Sequence, residues 1–407
     1  MVQGGFAALA ERASFRPKES HAQVEATADA AAVPRTRPLT LRQRFRIRFG
    51  PGMFLGMTLA DWIGLLHENH FGVERHYWLR AASISLNSLS NSAFRQIEDS
   101  AFLPRVQDVR LEAPLFILGH ARSGTTYLHN LLAMDQRFAY PNVYQVYYPH
   151  TFLCTEAIFG RLLAPFLPKK RPQDNVALSI NMPAEDEVAT CIATCQSPYM
   201  RYIFPHRAEY YDRYYTFRNV SEQEKSRWKN AYVRFLKKLT WKYQRPLLLK
   251  SPPHTARIRL LLEMFPNARF VHIHRNPYRV FQSTKHLDPM VFRSFTLQPP
   301  ERDVDERILD IYKRMYDVFF ADRTRIPRGQ FHEVCFEDLE ADPVGQLRET
   351  YQALGLPSFE GFRPRLQEYV NSLGDYRKNE FPQVSSRLRA NIYRAWRRCF
   401  EEWGYPR

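Results

Sequence analysis

Disulfide chemistry has little to work with in this chain: five cysteines among 407 residues are too few, and odd in number, to staple a protein of this length. A disulfide scaffold is thereby excluded, and a reducing, cytoplasmic setting is expected. Cys191 and Cys195 fall on one helix face at i, i+4, yet no second His or Cys pair stands near them, so they are expected as core thiols and no metal site is expected. A secretory apolar region is also missing. The most apolar stretch, Gly50 to Leu66, is short, glycine-rich and broken by Asp61, which excludes a membrane span. Acids are the remaining scarcity, 42 against 58 lysines and arginines, leaving a net charge of +16. Such an excess suits polyanionic substrates, a membrane surface or nucleic acid, or merely a basic surface kept for solubility.

What is present is organised around Pro114 to Leu132, PLFILGHARSGTTYLHNLL. The apolar run Leu115 to Leu118 reads as a buried strand, and Leu128, Leu131 and Leu132 mark one face of a following helix. Between them Gly119 and Gly124 allow the backbone close to an anion, with Ser123, Thr125, Thr126 and the first helical N–H groups aimed at it. The G-x-x-x-x-G spacing is that of a nucleotide loop, but Thr125 stands where a Walker loop carries lysine, and the positive charge comes from Arg122 inside the loop. A triphosphate with Mg²⁺ is therefore a poor match, and another anion is expected.

Arg122, Ser123, Gly124, Thr125, Thr126 and Tyr127 resemble the 5′-phosphosulfate loop of sulfotransferases that use 3′-phosphoadenosine 5′-phosphosulfate (PAPS). A second element, His274 to Ser283, is similar to that family's 3′-phosphate site, with Arg275 and Ser283 at the family's spacing. The resemblance runs from about Pro114 to the C-terminus. It implies a P-loop-like α/β fold, a parallel sheet flanked by helices on both faces. It also implies transfer of a sulfuryl group from PAPS to a hydroxyl or amine acceptor, with release of 3′-phosphoadenosine 5′-phosphate and without a metal. On the same basis Tyr127 stacks on adenine, Arg122 stabilises the leaving phosphate oxygen, and Arg377 and Lys378 form a looser basic stretch near the donor. The glutamate that some relatives carry beyond the loop is replaced by Tyr144-Gln145.

Other site candidates come from position. Pro246 to Lys250 reads as a second buried strand, and strand carboxyl ends are where open α/β sheets bind ligands, so Lys250 and His254 reach the site edge. Lys250 is expected to assist Arg122. A base must take the acceptor's proton, and His254 or Glu185 is expected to do so. Glu185, Asp186 and Glu187 also suit the positive end of a helix and need no further role. Residues 139–153 are expected as an irregular segment over the site, and residues 199–217, rich in aromatic and basic side chains, as an acceptor-side lid.

Residues 1–40 are expected as a disordered tail, 41–105 as a helical extension and 106–407 as the sulfotransferase domain. Arg35 to Arg48 holds six arginines and no acid. With Phe54 and Trp62 behind it, this block is read either as a peripheral membrane contact or as a helix packed on the domain's own flank. A small-molecule, lipid or saccharide acceptor fits, and the oligomeric state is not legible. A P-loop kinase or NTPase, and a nucleic-acid-binding protein, are the alternatives; the second leaves the paired anion anchors unexplained.

Overall fold

The computed structural model describes residues 52–163, 179–299, 304–374, 381 and 384–407. It opens with two helices, α1 (Leu59–Glu68) and α2 (Trp78–Gln107), followed by strand β1 (Leu115–Leu118) and helix α3 (Thr125–Leu132). Helices α4 (Asp186–Thr194) and α5 (Glu222–Tyr243) precede β2 (Leu248–Lys250) and β3 (Arg269–His274). Helices α6 (Pro277–Phe295) and α7 (Val304–Asp322) lead to β4 (Phe331–Cys335), and α8 (Ser386–Trp403) closes the chain. The strands form one parallel sheet in the order β2-β1-β3-β4. This is the α/β architecture that the apolar runs and helical spacings imply.

Each sheet face carries its own core. Leu115 and Ile117 of β1 pack with Leu128, Leu131 and Leu132 of α3, and with Val271, Ile273 and Val334 of the neighbouring strands. Phe116 and Leu118 face the other way, into the larger core with Leu249, Phe270, Ile192 and Leu236. That alternation is the two-residue period of a strand with both faces covered, and it explains why β1 is apolar at every position. Register places Ile117 beside Lys250 and Leu118 beside His272, so the carboxyl ends of β1, β2 and β3 emerge at one edge.

The segment before β1 belongs to this packing. Met53, Phe54, Met57, Trp62 and Leu65 are buried in the larger core, and the Trp62 indole donates to Ser85 Oγ at 2.9 Å. Phe54 and Trp62 therefore face the protein interior. Residues 139–153 are also more regular than expected. Asn142 begins a helix at Val143–Tyr147 through a capping box with Gln145, a reciprocal pairing that satisfies the first-turn donors. Residues 199–217 form a packed wall, with Tyr211 and Tyr214 buried and the buried Arg201 guanidinium donating to Asp212 at 2.5 Å. A pair that well buried does not belong to an open lid.

Helices α2 and α5 are joined by the Glu98–Lys238 ion pair, whose side chains are 2% and 6% exposed. Burial lowers the Lys238 pKa and Glu98 opposes that shift. Removing one member leaves an uncompensated buried charge. Glu98→Ala is therefore expected to lower the unfolding free energy by about 3–5 kcal/mol, and Glu98→Gln by less. Urea denaturation of both variants checks this.

Candidate active site

The loop after β1 is shaped by two glycines that tolerate no side chain. A Cβ at Gly119 would meet the Ile273 carbonyl at 2.6 Å, and one at Gly124 would meet the Phe336 ring at 2.2 Å. Gly124 also has φ +102° and serves as the N-cap of α3, with no side chain capping the helix. The first-turn N–H groups of α3 thus open toward the loop. Arg122 adopts a left-handed φ of +73°. The loop is braced from outside, because Gly119 N donates to Thr255 Oγ1 at 2.7 Å and His120 N to Tyr316 Oη at 3.3 Å. Burial drives the His120 pKa down to about 4, so its ring is neutral near pH 7. Ser123 Oγ donates back to the His120 carbonyl at 2.8 Å, which turns that hydroxyl inward. Thr125 is buried and Thr126 half-buried.

The two anion anchors of the sequence meet here. Arg122 Nε donates to Ser283 Oγ at 2.8 Å, although 161 residues separate them. Arg275, at the end of β3, reaches the Arg122 carbonyl at 3.4 Å and lies 4.1 Å over the Phe336 ring. Its Nε is buried with no hydrogen-bond partner among the described residues. Burial lowers the Arg275 pKa while Glu337 and Glu340 oppose the shift. Tyr127 is half-buried, its ring 6.5 Å from that of Phe336, and burial pushes its hydroxyl up to about 12. Arg377 and Lys378 lie outside the described residues.

On the other side of β1, three consecutive acids meet three bases. Lys250 Nζ donates to Glu185 Oε1 at 2.7 Å, His254 Nε2 donates to Asp186 Oδ2 at 2.5 Å, and Arg257 grips both oxygens of Glu187 at 2.5 and 2.9 Å. The Asp186 and Glu187 pairs are fully buried. Only the first pair opens outward, since the Glu185 side chain is 29% exposed and Lys250 3%. Tyr199 Oη donates to the other Glu185 oxygen at 2.5 Å. Asp186 also accepts from Tyr232 Oη at 2.7 Å and Ser251 Oγ at 3.0 Å. Burial alone would raise its pKa, but the His254 charge, with hydrogen bonds from His254, Tyr232 and Ser251, holds it well below the usual carboxylate range. Sequence reasoning missed Arg257 and Tyr199. The signal for Arg257 was available in the three acids at 185–187 and the three bases at 250, 254 and 257.

This arrangement gives one strand edge two faces: guanidinium groups and a helix start without a side-chain cap, and beside them a carboxylate held between an ammonium and a phenol. Residues 114–361 match the model of the sulfotransferase family. The chain belongs to the sulfotransferase family. It is 36% identical over 357 residues, 87% of this chain and 92% of the relative, to omega-hydroxy-beta-dihydromenaquinone-9 sulfotransferase Stf3 from Mycobacterium bovis, and equally to the protein of that name from Mycobacterium tuberculosis. Its fold is similar to sulfotransferase STF9 from Mycobacterium avium, with a TM-score of 0.62 at 18% identity over 84% of this chain and 91% of the other. Sulfotransferase STF1 from Mycobacterium tuberculosis gives a TM-score of 0.57 at 18% identity, covering 83% and 91%. The chain is thus a sulfotransferase, and the kinase and nucleic-acid alternatives fall away.

Asp186, depressed in the folded chain, contributes stability that is present above its ordinary value of 3.8 and lost as pH falls toward the folded value. Asp186→Asn is expected to cost about 3–5 kcal/mol near pH 7 by leaving His254 buried without its carboxylate. Denaturation at pH 7 and at about pH 3.5 should show the gap between variant and parent narrowing on acidification.

Proposed function

We propose that the enzyme transfers the sulfuryl group of PAPS to the hydroxyl of a lipid-sized alcohol. The observation that carries the donor half is the meeting of Arg122, Ser283 and Arg275 at the uncapped start of α3. Two anion anchors from distant parts of the chain converge there on a loop with no room for side chains at Gly119 and Gly124. Arg275 and Ser283 hold the 3′-phosphate, and the unpartnered Arg275 Nε supports that assignment. The loop N–H groups with Thr125 and Thr126 hold the 5′-phosphosulfate, and Tyr127 lies against the adenine.

Arg122, tied to Ser283, joins the two subsites and stabilises the phosphate oxygen from which the sulfuryl group departs. As the S–O bond breaks, negative charge grows on that oxygen, and a fixed guanidinium that cannot lose its proton stabilises it there. Glu185 takes the acceptor's proton. It is the half-open member of the three acid–base pairs, and Lys250 and Tyr199 hold both its oxygens in one orientation. Lys250 thus acts on the acceptor side through Glu185. His254 is fully buried against Asp186 and positions that acid, so the base role falls to Glu185. Arg377 and Lys378 are assigned to the donor on resemblance alone. The domain division at residues 40 and 105 and a reducing, cytoplasmic setting complete this reading, the latter supported by cysteines that all remain unpaired.

The acceptor class rests on Stf3, whose name states that it acts on omega-hydroxy-beta-dihydromenaquinone-9, a lipid alcohol. Incubation with sulfur-labelled PAPS and a panel of lipid alcohols, saccharides and phenols tests it. Label appearing only in saccharides or phenols overturns the lipid assignment.

Glu185→Gln is expected to lower kcat by about 10²- to 10⁴-fold while the affinity for 3′-phosphoadenosine 5′-phosphate stays near that of the parent. An equal loss in His254→Asn, with its donor site and fold intact, would return the base role to the histidine. Arg275→Ala and Ser283→Ala are each expected to weaken 3′-phosphoadenosine 5′-phosphate by about tenfold or more, the analogue without the 3′-phosphate much less. Calorimetry on both ligands, run without metal, reads the difference.

A further inference from the structure

Helix α2 is built inside out. Four of its six buried positions are polar, Arg80, Ser88, Asn91 and Glu98 beside Ile84 and Val106, whereas Trp78, Leu79, Leu86, Leu89 and Ile97 are 60%, 46%, 70%, 57% and 56% exposed. A helix lying between a protein core and water shows the reverse pattern. The orientation is locked by its polar inner face. Arg80 donates to the carbonyls of Thr296 and Arg293, Asn91 to those of Leu55 and Met57, and Glu98 pairs with Lys238. Turning α2 to hide its leucines would strip every one of these groups of its partner, so the apolar face is held outward by the fold itself.

The remaining large apolar side chains that are exposed among the described residues lie in the same neighbourhood. Ile63 and Phe71 belong to α1 and the turn after it, and Ile158 and Leu162 flank Phe159, whose ring packs on Phe94 of α2 at 5.5 Å. In a chain that is 25% charged, no exposed position from Trp78 to Pro104 carries a charge. Arg95 and Asp99 on the helix flank are half-buried and pair with each other. Exposed Glu74, Arg75 and His76 stand before this face, and exposed Arg105, Asp108, Arg110 and Glu112 after it, so its ends carry charges of both signs.

We propose that the outer face of α2 is a membrane-docking surface, lying in the plane of an anionic bilayer with its apolar side chains in the acyl boundary. The face runs about 30 Å at the helical rise, with no exposed ionised group between Trp78 and Pro104 to specify a protein partner. The chain's net charge of +16 and its six arginines between Arg35 and Arg48 favour the same anionic partner. This surface replaces Phe54 and Trp62, which are buried, as the apolar part of a membrane contact. It does not rest on the donor or acceptor assignments, so its test reads binding and not sulfation.

The full-length chain is to be sedimented with vesicles of phosphatidylcholine containing phosphatidylglycerol and with vesicles of phosphatidylcholine alone. The comparison is the triple variant Trp78→Ser, Leu86→Ser, Leu89→Ser. The parent is expected to sediment with the anionic vesicles and to lose binding as salt rises, and the variant's partition coefficient is expected to fall by about tenfold or more. Melting temperature and affinity for 3′-phosphoadenosine 5′-phosphate should match between the two, because none of the three side chains touches the site. A parent that binds neither vesicle overturns the proposal, as does a variant that binds like the parent. So does a parent that scatters light as a dimer, splits in the variant and ignores vesicles, which would assign the face to a second copy of the chain.

Discussion

The architecture of the site depends on one polar spine: Glu185, Asp186 and Glu187 at the start of α4 threaded against Lys250, His254 and Arg257 at the end of β2. Two of the pairs are wholly inside the protein, where an ion pair offsets its own desolvation only with good geometry and further hydrogen bonds. Tyr232 and Ser251 supply those bonds at Asp186. Ser197 and the second Arg257 nitrogen supply them at Glu187. Apart from His254 Nδ1, which has no partner among the described residues, this network ties α4 to the sheet edge, and in doing so sets the third pair, Glu185 with Lys250, at the opening.

The sheet order divides the labour. Because β1 lies between β2 and β3, the loop that follows it has the Lys250 side on one flank and the Arg275 side on the other. Arg122 leans toward β3 and α6 through Ser283, while Thr255, just beyond β2, holds Gly119 from the opposite flank. A ligand seated on the loop would have its anionic groups facing one neighbour strand and its reactive end facing the other. No insertion or extra domain is needed for that polarity; it follows from strand adjacency.

The parts of this design that are local in sequence were legible there. The strand–loop–helix signature, the two loop glycines and the strand runs all depend on near neighbours, and the structure carries them as written. Glu185 and Lys250 could be nominated one by one, but not as a pair, because they stand 65 positions apart and spacing says nothing about what meets across such a distance. Residues 199–217 looked like a lid because tyrosines and arginines suit one. Their arginine instead finds Asp212 inside the wall. For α2 the helical period was visible, but a period reports which residues share a face and not which face turns inward.

The polar spine has a consequence for how the molecule comes into being. Its three pairs span 65, 68 and 70 residues of sequence, so none can form before the intervening chain, α5 included, has been made and folded back. Contacts of that range are entropically expensive and form slowly, and until they close, the half-assembled edge holds unpaired charges that resist entering the core. The acid–base edge is therefore expected to form late in folding, only after β2 has been made and brought back onto α4.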